Sequence, residues 1–419
     1  MRVVLTTFGS LGDLHPYLAV GKGLRARGHE VVVATSEIYR ERVVADGLEF
    51  CPVRPDLGPL RGDLEVLKRL WHPRKGTEYL MRTMVMPFVE ESYEDLTVAC
   101  LGADVIVTHL LSYAAPVVAE VMGIPAVAVG LQPSAFISAY DPPVLAQARW
   151  LYGLRHLGPM PYRVLFALGS LRVRGWTRPL RELRARLGLA EQKGDPVLKW
   201  AWQTGGAMAW FPAVFGAPQR DWPTGTVVTG FPFYDSAAVG LSAGTEEFLV
   251  AGEAPVVFTL GSAAVSQAGD FYAESARGAG LAGMRAVLLV GEDAGPEVWG
   301  LASETVHVSS YEPYAALFPR AVAVVHQCGI GTTGESLRAG VPVVAVPWGY
   351  DQFDNAERLK RMGCGVVMER GRYRAEGVAR ELRRVGRLRE RCGEVARMVR
   401  SEDGVEAACG AIERVARGA

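Results

Sequence analysis

The 419-residue chain has no excess of either charge, because its 45 basic residues are balanced by 45 acidic ones. Proteins that bind nucleic acid over a large surface usually carry a strong positive charge. The balance therefore excludes a strong attraction of the whole protein to nucleic acid, although a local basic patch is compatible with it. The 48 Gly and 25 Pro follow no short period, which also excludes collagen-like and low-complexity classes.

Cysteine is sparse, and its spacing forms no motif. The six cysteines include no CxxC pair and no metal-finger spacing, which favours reduced thiols in a cytosolic protein. The N-terminus reaches polar residues after three apolar ones, so we expect no signal peptide. The most apolar stretch, 114–140, contains Glu120 and is broken by Pro125 and Pro133, which makes it a poor membrane span. We therefore expect a soluble, cytoplasmic protein.

Three motifs of nucleotide-dependent enzymes are missing. There is no GxxxxGK[ST] sequence, which argues against a P-loop kinase. The loop after the first predicted strand reads FGSLGD instead of GxGxxG, which argues against a dinucleotide oxidoreductase. No DxD-like pair of carboxylates is evident, so the sequence predicts no metal site, and nothing in it indicates a bound cofactor.

What the sequence does contain is an alternation of buried strands and helices. In the first half, apolar β-branched runs predict strands at 2–7, 29–35, 48–53, 104–108 and 126–129. A helix is expected to open at Pro16 and to close near Gly28. In the second half, strands are predicted at 255–260, 285–290, 305–308, 321–325 and 341–346. The pattern predicts an α/β protein of two doubly wound, Rossmann-like domains that face each other across a cleft.

The predicted domain boundaries follow the composition. Residues 227–244 are rich in Gly, Pro and small side chains, as interdomain linkers are. We assign 1–232 to an N-terminal domain, 233–400 to a C-terminal domain, and 401–419 to a terminal helix that packs back toward the N-terminal domain.

The segment 321–358 carries the chemistry of the second half. A predicted strand ends at Val325, a glycine-containing turn follows, and a helix is expected to start near Thr332. The glycines of the turn allow a ligand to approach the backbone, and a helix N-terminus with threonine hydroxyls favours an anion such as phosphate. A glycine-rich strand–helix turn can also be purely structural.

Polar residues around this turn suit a nucleotide sugar. Glu335 lies one turn into the helix, where a carboxylate can accept hydrogen bonds from a ribose. Asp351 and Gln352 offer a carboxylate and an amide to sugar hydroxyls, whereas Asn355 and Arg358 are compatible with mere capping and surface roles. A second glycine turn, LGSA at 260–263, offers backbone donors to a diphosphate.

These motifs resemble the donor-binding segment of the family 1 (UGT-like) glycosyltransferases with the GT-B fold, which include bacterial natural-product and sterol glucosyltransferases. The resemblance rests on the HQCGIGTT run, the AGVP–P–DQ–NA series, the GS turn and the N-terminal GSLGD loop. It extends loosely over the whole chain and is strongest at 311–365. It implies that the N-terminal domain binds the acceptor and the C-terminal domain binds the sugar donor.

The resemblance also implies roles for single residues. Glu335 would bind the ribose, Asp351 and Gln352 the sugar, and Tyr311 and Pro313 would lie near the base. The diphosphate would be bound by Ser262, Gln327, Thr332 and Thr333. The donor site would also include four further residues: Gly12, His326, Gly329 and Gly331. The acidic Glu335 favours UDP over dTDP, and the Asp–Gln pair favours glucose.

The chain departs from the family pattern at three of these positions. Gln327 stands where the family often has His, and Tyr311 stands where many members have Trp. Cys328 is interpreted as a packing residue and not as a nucleophile.

Glycosyl transfer also needs a base for the acceptor hydroxyl. The loop after the first strand offers Asp13 and His15, and Asp13 matches the family's base position. Two alternatives stay open, namely that His15 is the base or that Asp13 only caps the helix expected at Pro16. His109 ends the strand DVIVT, where relatives with a His base carry a supporting Asp, so it either supports Asp13 or is an ordinary strand-end residue.

The acceptor is expected in the insertions at 55–100 and 131–210, which hold most of the tryptophans: Trp71, Trp150, Trp176, Trp200, Trp202 and Trp210. Within them, 149–186 has nine Arg and one acidic residue. Such a segment can lie on an anionic lipid surface or bind an acidic acceptor. It can also be an ordinary helical lining with exposed Arg, because Arg greatly outnumbers Lys throughout the chain and this bias enlarges any basic patch.

The expected function is an inverting, metal-independent transfer of a hexose from a UDP-sugar, with UDP-glucose as co-substrate. The abundance of aromatic residues favours a hydrophobic small molecule or lipid as acceptor. A UDP-sugar 2-epimerase and a non-catalytic partner of a glycosyltransferase are the alternatives, and the sequence does not indicate an oligomeric state.

Overall fold

The computed structural model describes residues 1–58, 63–72, 74–191, 194–195, 197, 205–234 and 240–418. Trp200 and Trp202, and part of the predicted linker at 227–244, lie outside these residues. The chain divides into two compact units. The first comprises Met1–Gly9, Asp13–Tyr234 and Glu402–Ala419, and the second comprises Ser10–Gly12 and Asp235–Ser401.

The first unit is built on a parallel sheet whose described strands run in the order β3-β2-β1-β4-β5-β6-β7. Its strands are β1 Arg2–Thr6, β2 Glu30–Thr35, β3 Glu49–Pro52, β4 Val105–His109, β5 Ala126–Gly130, β6 Gly206–Ala209 and β7 Val227–Val228. The helices up to this point are α1 Leu11–Ala26, α2 Arg40–Ala45, α3 Leu64–Leu70, α4 Gly76–Tyr79, α5 Val89–Ala99, α6 Ala115–Met122, α7 Met160–Val173 and α8 Arg178–Arg186.

The second unit has a parallel sheet in the order β10-β9-β8-β11-β12-β13. Its strands are β8 Val256–Thr259, β9 Ala286–Leu289, β10 Val306–Ser309, β11 Ala323–His326, β12 Val343–Ala345 and β13 Gly365–Val367. Its helices are α9 Ala243–Val250, α10 Gly261–Ala264, α11 Phe271–Ala282, α12 Pro296–Trp299, α13 Tyr314–Leu317, α14 Ile330–Ala339, α15 Gln352–Arg361, α16 Ala375–Val385 and α17 Arg389–Arg400. The last helix, α18 Gly404–Ala416, belongs to the first unit.

The central strands are buried because helices cover both faces of each sheet. Val3, Val4 and Leu5 of β1 are fully buried, and Val4 pairs in parallel register with Val32 of β2 and with Ile106 of β4. An apolar run with no polar alternation is what this position requires. The ten strands predicted from such runs all appear, with ends within two residues of the expected ones.

Two helices begin earlier than expected, α1 by five residues, so that its predicted start was wrong, and α14 by only two. α1 begins at Leu11, so Asp13 lies in its first turn and Pro16 lies inside the helix. The proline removes only the hydrogen bond that its N–H would give to the carbonyl four residues earlier, close to the helix start, where the loss is tolerated. α14 begins at Ile330, near the expected Thr332. No helix among the described residues is long and apolar enough to cross a membrane.

Candidate active site

The loop after β1 holds Asp13 in a defined position. Gly9 has a φ of +136°, and a Cβ at this position would collide with the Asp13 carboxylate, so only glycine allows this approach. The Tyr39 hydroxyl donates to the Gly9 carbonyl at 2.8 Å. The Thr7 hydroxyl donates to the Asp13 carbonyl at 3.2 Å. The loop is thus held by a residue that follows β1 and by a residue that follows β2.

Asp13 and His109 lie side by side. The Nε2 atom of His109 is 3.7 Å from an Asp13 carboxylate oxygen, and the His109 side chain is 6% exposed against 30% for Asp13. The backbone N–H of Leu111 donates to Nδ1 of His109 at 3.4 Å, which leaves the hydrogen of the neutral ring on Nε2, facing the carboxylate. Burial lowers the pKa of His109, and the Asp13 charge only partly opposes this. The pair is therefore a carboxylate next to a neutral imidazole.

His15 has other partners. The Arg42 guanidinium donates to its Nε2 atom at 3.1 Å, and its ring stacks on Tyr234 with 4.7 Å between ring centroids. Burial, reinforced by the Arg42 charge, lowers the pKa of His15 to about 4. His15 is thus neutral at pH 7, but its ring nitrogen already accepts a hydrogen bond from an arginine.

In the second unit, the turn between β11 and α14 is held on both sides. Cys328 adopts the left-handed conformation with a φ of +67°, which is unusual for a residue with a side chain. Its N–H donates to Nδ1 of His326 at 3.0 Å, and its carbonyl accepts from the Asn355 side chain at 2.9 Å. Burial and the charge of Asp351 raise the pKa of the Cys328 thiol well above its usual value. An inert, buried thiol agrees with the prediction that Cys328 is a packing residue.

His326 is fully buried and serves this turn. While Nδ1 accepts from Cys328, Nε2 lies 3.3 Å from the Ser336 hydroxyl. Both ring nitrogens therefore make contacts inside the second unit. The resemblance placed His326 in the donor site, but with these contacts it would affect that site only through the turn that it holds. The ring shapes the turn that carries the neighbouring residues.

The two glycine turns meet at Gln327. Gly261 has a φ of +59°, and a Cβ there would collide with the Gln327 amide nitrogen and lie 3.5 Å from the Thr332 hydroxyl. The structure thus brings the LGSA turn next to the HQCGIGTT turn, as the predicted diphosphate site requires. Ser262 is exposed, and Gly12 lies in the first turn of α1.

Buried polar atoms without a protein partner mark the same place. Among the described residues, the Gln327 side-chain oxygen and the Thr333 hydroxyl are buried and make no hydrogen bond. Such atoms are rare in folded proteins, because each costs about 1–3 kcal/mol when left unpaired. Gly331 and Thr332 belong to the first turn of α14, where backbone N–H groups lack helical partners, whereas the Thr333 N–H donates to the Gly329 carbonyl at 2.9 Å. The Thr333 hydroxyl and the N–H groups of this turn are suited to an anion, while the Gln327 oxygen can only accept a hydrogen bond, for example from a ligand hydroxyl.

Glu335 borders an open hollow of about 410 Å³. Its carboxylate pairs with Arg338 on the same helix at 3.2 Å. Arg400 lines the hollow too, and its guanidinium donates to the carbonyls of Arg338 at 2.6 Å and of Ala339 at 3.2 Å. Glu335, which was predicted to bind the ribose, is thus ion-paired with an arginine, and the sequence did not suggest this partner.

Asp351 and Gln352 begin α15 but differ in their surroundings. The Gln352 side-chain oxygen accepts hydrogen bonds from the N–H groups of Trp348 at 2.8 Å and Gly349 at 3.1 Å. Its amino group is what remains for a sugar hydroxyl. Asp351 is partly exposed, and one of its oxygens accepts from Asn355 at 2.7 Å.

Asn355 and Arg358 are buried, so the interpretation of them as capping and surface groups was wrong. Asn355 is fully buried and joins Asp351 to the Cys328 carbonyl. Arg358 is 2% exposed and pairs with Asp354, also buried, at 2.7 Å. The sequence offered no signal for this, because a helix with many charged residues usually faces solvent.

Glu312 was missed altogether. It lies between Tyr311, which is 56% exposed, and Pro313, which precedes α13. The Glu312 carboxylate is buried and accepts hydrogen bonds from Ser242, Thr245 and Ser309. An acidic residue before a proline in a short loop gave no hint of burial.

Family models and curated relatives cover most of the chain. Residues 3–139 match the glycosyltransferase family 28 N-terminal domain, and residues 284–409 match the Erythromycin biosynthesis protein CIII-like, C-terminal domain. The chain is 34% identical over 379 residues to O-mycaminosyltylonolide 6-deoxyallosyltransferase of Streptomyces fradiae, a match that covers 87% of this chain and 85% of that enzyme. It is 27% identical over 391 residues to a sterol 3-beta-glucosyltransferase of Debaryomyces hansenii, covering 87% of this chain but 24% of that protein.

Solved structures share the fold over the full length. The glycotransferase of kitacinnamycin superposes with a TM-score of 0.73 at 21% identity, covering 99% of this chain and 98% of that one. The glycosyltransferase VinC, solved in complex with DTDP, gives 0.71 at 20% identity and covers 100% of both chains. These matches confirm two Rossmann-like α/β domains of the GT-B type, and the Streptomyces fradiae relative confirms a transferase. The chain belongs to the family 1-like glycosyltransferases with the GT-B fold.

Proposed function

We propose that this glycosyltransferase is an inverting, metal-independent hexosyltransferase that uses Asp13 as its base. The acceptor is a hydroxyl of a hydrophobic small molecule or lipid, and the donor is a nucleoside diphosphate sugar, with UDP-glucose as the sequence-based choice. The observation that carries the proposal is the Asp13–His109 pair at the carboxyl edge of a parallel sheet, where α/β proteins bind ligands. The abundance of aromatic residues in the first half supports an apolar acceptor.

In this mechanism Asp13 takes the acceptor proton as the acceptor oxygen attacks the anomeric carbon. The new C–O bond forms on the face opposite the leaving group, the bond to the diphosphate breaks, and the nucleoside diphosphate departs with the bonding electrons. His109 is neutral, and its Nε2 atom lies 3.7 Å from an Asp13 carboxylate oxygen, so it orients Asp13. His109 is thus a positioning residue.

The second unit supplies the donor contacts. The unpaired Thr333 hydroxyl and the N-terminus of α14 favour the diphosphate, whose charge grows as the bond breaks. Glu335 would receive the ribose hydroxyls, and Asp351 with the Gln352 amino group would receive the sugar. Tyr311 and Pro313 would lie near the base.

Replacement of Asp13 tests the base. We expect Asp13→Asn to lower kcat by about 100-fold or more, since a general base contributes about that much, while nucleotide affinity stays unchanged. Asp270→Asn, an exposed carboxylate before α11, is the matched control. Turnover with a hydroxyl acceptor is followed by release of nucleoside diphosphate and by product mass. Near-normal turnover of Asp13→Asn would exclude this base.

A dTDP-linked 6-deoxyhexose is the second donor candidate. The relative from Streptomyces fradiae is named as a 6-deoxyallosyltransferase, and the neighbour VinC was solved with DTDP. Glu335 favours UDP because it can accept from a ribose 2′-hydroxyl, which dTDP lacks. Calorimetry measures the binding of UDP and of dTDP to the wild type and to Glu335→Gln. A preference of the wild type for UDP that is lost in the variant supports the ribose contact, and any other result contradicts it.

A further inference from the structure

Large apolar side chains are exposed in two consecutive elements of the first unit, the 3-10 helix Arg149–Leu157 and α7. Six large hydrophobic residues have 55–77% of their surface exposed: Trp150, Leu157, Met160, Val164, Leu168 and Leu171. We name them the 150–171 surface. Single exposed apolar residues are ordinary, but a group of neighbours usually marks a binding surface.

The spacing along α7 places four of these residues on one helix face. Met160, Val164, Leu168 and Leu171 follow each other at intervals of four, four and three residues. Tyr162 lies on the opposite side of the helix, is buried, and donates from its hydroxyl to a backbone carbonyl of the preceding segment at 2.7 Å. α7 therefore packs through its Tyr162 side and turns its apolar face outward.

Arginines border this face on both sides. With 3.6 residues per turn, Arg163 and Arg174 fall on one edge and Arg172 on the other, and all three are exposed. Three of the nine Arg in 149–186 are ion-paired, Arg178 with Glu182, Arg184 with Glu120 and Arg186 with Glu90, so the positive charge of this surface rests on the arginines along α7 and at its C-terminal end. The surface is thus apolar along its centre and cationic at its edges.

We propose that the 150–171 surface binds the anionic face of a lipid bilayer, a role that goes beyond the proposed function and does not depend on it. The apolar side chains would enter the boundary between headgroups and acyl chains, and the bordering guanidinium groups would bind lipid phosphates. Trp150 suits this boundary, where tryptophan is enriched. A second copy of the chain fits less well, because two-fold pairing of the same patch brings arginines of both copies together.

Cosedimentation of the full chain with vesicles tests the proposal. Vesicles contain phosphatidylcholine alone or mixed equally with phosphatidylglycerol, at low and at high salt. We expect binding to the anionic vesicles that is about tenfold or more tighter than to the neutral ones and that weakens with salt. No binding at low salt, or equal binding to both vesicles, overturns the proposal.

Two pairs of variants separate this surface from the general basicity of the chain. Leu168→Ser with Leu171→Ser, and separately Arg172→Gln with Arg174→Gln, should each lower binding to anionic vesicles about tenfold. The controls are Val250→Ser, 79% exposed on α9, and Arg384→Gln with Arg387→Gln, both exposed in the second unit. Equal losses in the controls, or unchanged binding of the test variants, contradict the proposal. Melting temperatures establish that all variants fold.

Light scattering tests the alternative occupant. If the chain forms a dimer that Leu168→Ser with Leu171→Ser abolishes, the surface binds a second copy of the chain and the lipid proposal is wrong.

Discussion

At the scale of single residues, three histidines, of which His109 and His326 are buried and His15 is half-buried, are kept neutral by their surroundings. Burial lowers the pKa of His15 to about 4 and of His326 to about 3, and it also lowers the pKa of His109. Each ring accepts a hydrogen bond through one nitrogen. Protonation of that nitrogen would break the bond, which at His326 is the one that holds the left-handed turn at Cys328.

Acid should therefore destabilise the second unit through His326. Between pH 6.5 and the folded value of about 3, the unfolded chain binds more protons at this residue, so stability is complete above pH 6.5 and falls as the pH falls. From pH 7.5 to 5 the loss is about 2 kcal/mol, or about 4–8 °C in melting temperature. His326→Asn should be less stable at pH 7.5 but lose less on acidification. His156→Asn, at an exposed position, should show the wild-type slope; an unchanged slope in His326→Asn contradicts the prediction.

The residues of the site were predictable to the extent that their chemistry is local. The pair was proposed from the family resemblance, in which Asp13 stands at the base position and His109 stands where relatives carry the supporting residue. The structure brings the two side chains together because β1 and β4 are neighbouring parallel strands that end at one edge of the sheet. The burial of Asn355 and the hydrogen bonding of Gln352 to the Trp348 loop were not predictable. These depend on which turn packs against α15, and a helical sequence pattern contains no information on that contact.

At the scale of an element, the loop between β10 and α13 is anchored by one carboxylate. Glu312 accepts from the Ser242 N–H at 3.0 Å, from the Ser242 hydroxyl at 2.5 Å, from Thr245 at 2.5 Å and from Ser309 at 3.1 Å. Burial alone would raise the pKa of Glu312, but the hydrogen bonds outweigh it and lower that pKa. The carboxylate thus fastens the loop of Tyr311 to the start of α9, which Ser242 caps.

Replacement of this carboxylate should loosen the loop. We expect Glu312→Gln to lower stability by about 2 kcal/mol, because an amide has one acceptor oxygen and leaves buried donors unpaired. Since the pKa of Glu312 is lowered in the folded state, its contribution is present above about pH 4.5 and is lost as the pH falls through the folded value. Thermal unfolding at pH 7.5 measures the change. Glu253→Gln, at an exposed position, is the control, and equal melting of both variants would show that the anchor contributes nothing.

Elements were predicted best where burial is complete. Strands such as β1 and β11 are apolar throughout because both faces are covered, which makes them visible in the sequence. β6 was missed, because its sequence of Gly and small residues has little strand propensity and its place is set by pairing with β5. The start of α1 was misplaced because Pro16 is a typical first-turn residue, yet here it lies within the helix.

At the scale of the whole molecule, the first unit is completed by the end of the chain. Glu413 of α18 pairs with Arg27 at 3.1 Å and with His29 at 2.8 Å, both next to the end of α1. Cys409 packs beside the backbone of α1, with its thiol 3.6 Å from the Val20 carbonyl. The unit therefore contains contacts between residues almost 400 positions apart, and its native packing requires α18.

Gly23 is where this closure can be tested, because a Cβ there would lie 2.6 Å from Val405 and 2.9 Å from the Cys409 sulfur. Neither contact can be accommodated without moving α18, so Gly23→Ala should destabilise the first unit by about 1–3 kcal/mol. Gly169→Ala on α7 is the matched control, since a Cβ there meets nothing within 4 Å and alanine favours helix by up to about 1 kcal/mol. Urea unfolding of both variants gives the comparison, with hydrogen exchange across α18 as the local readout. If Gly23→Ala were as stable as Gly169→Ala and α18 equally protected, the terminal helix would be an appendage and not a component of the first unit's core.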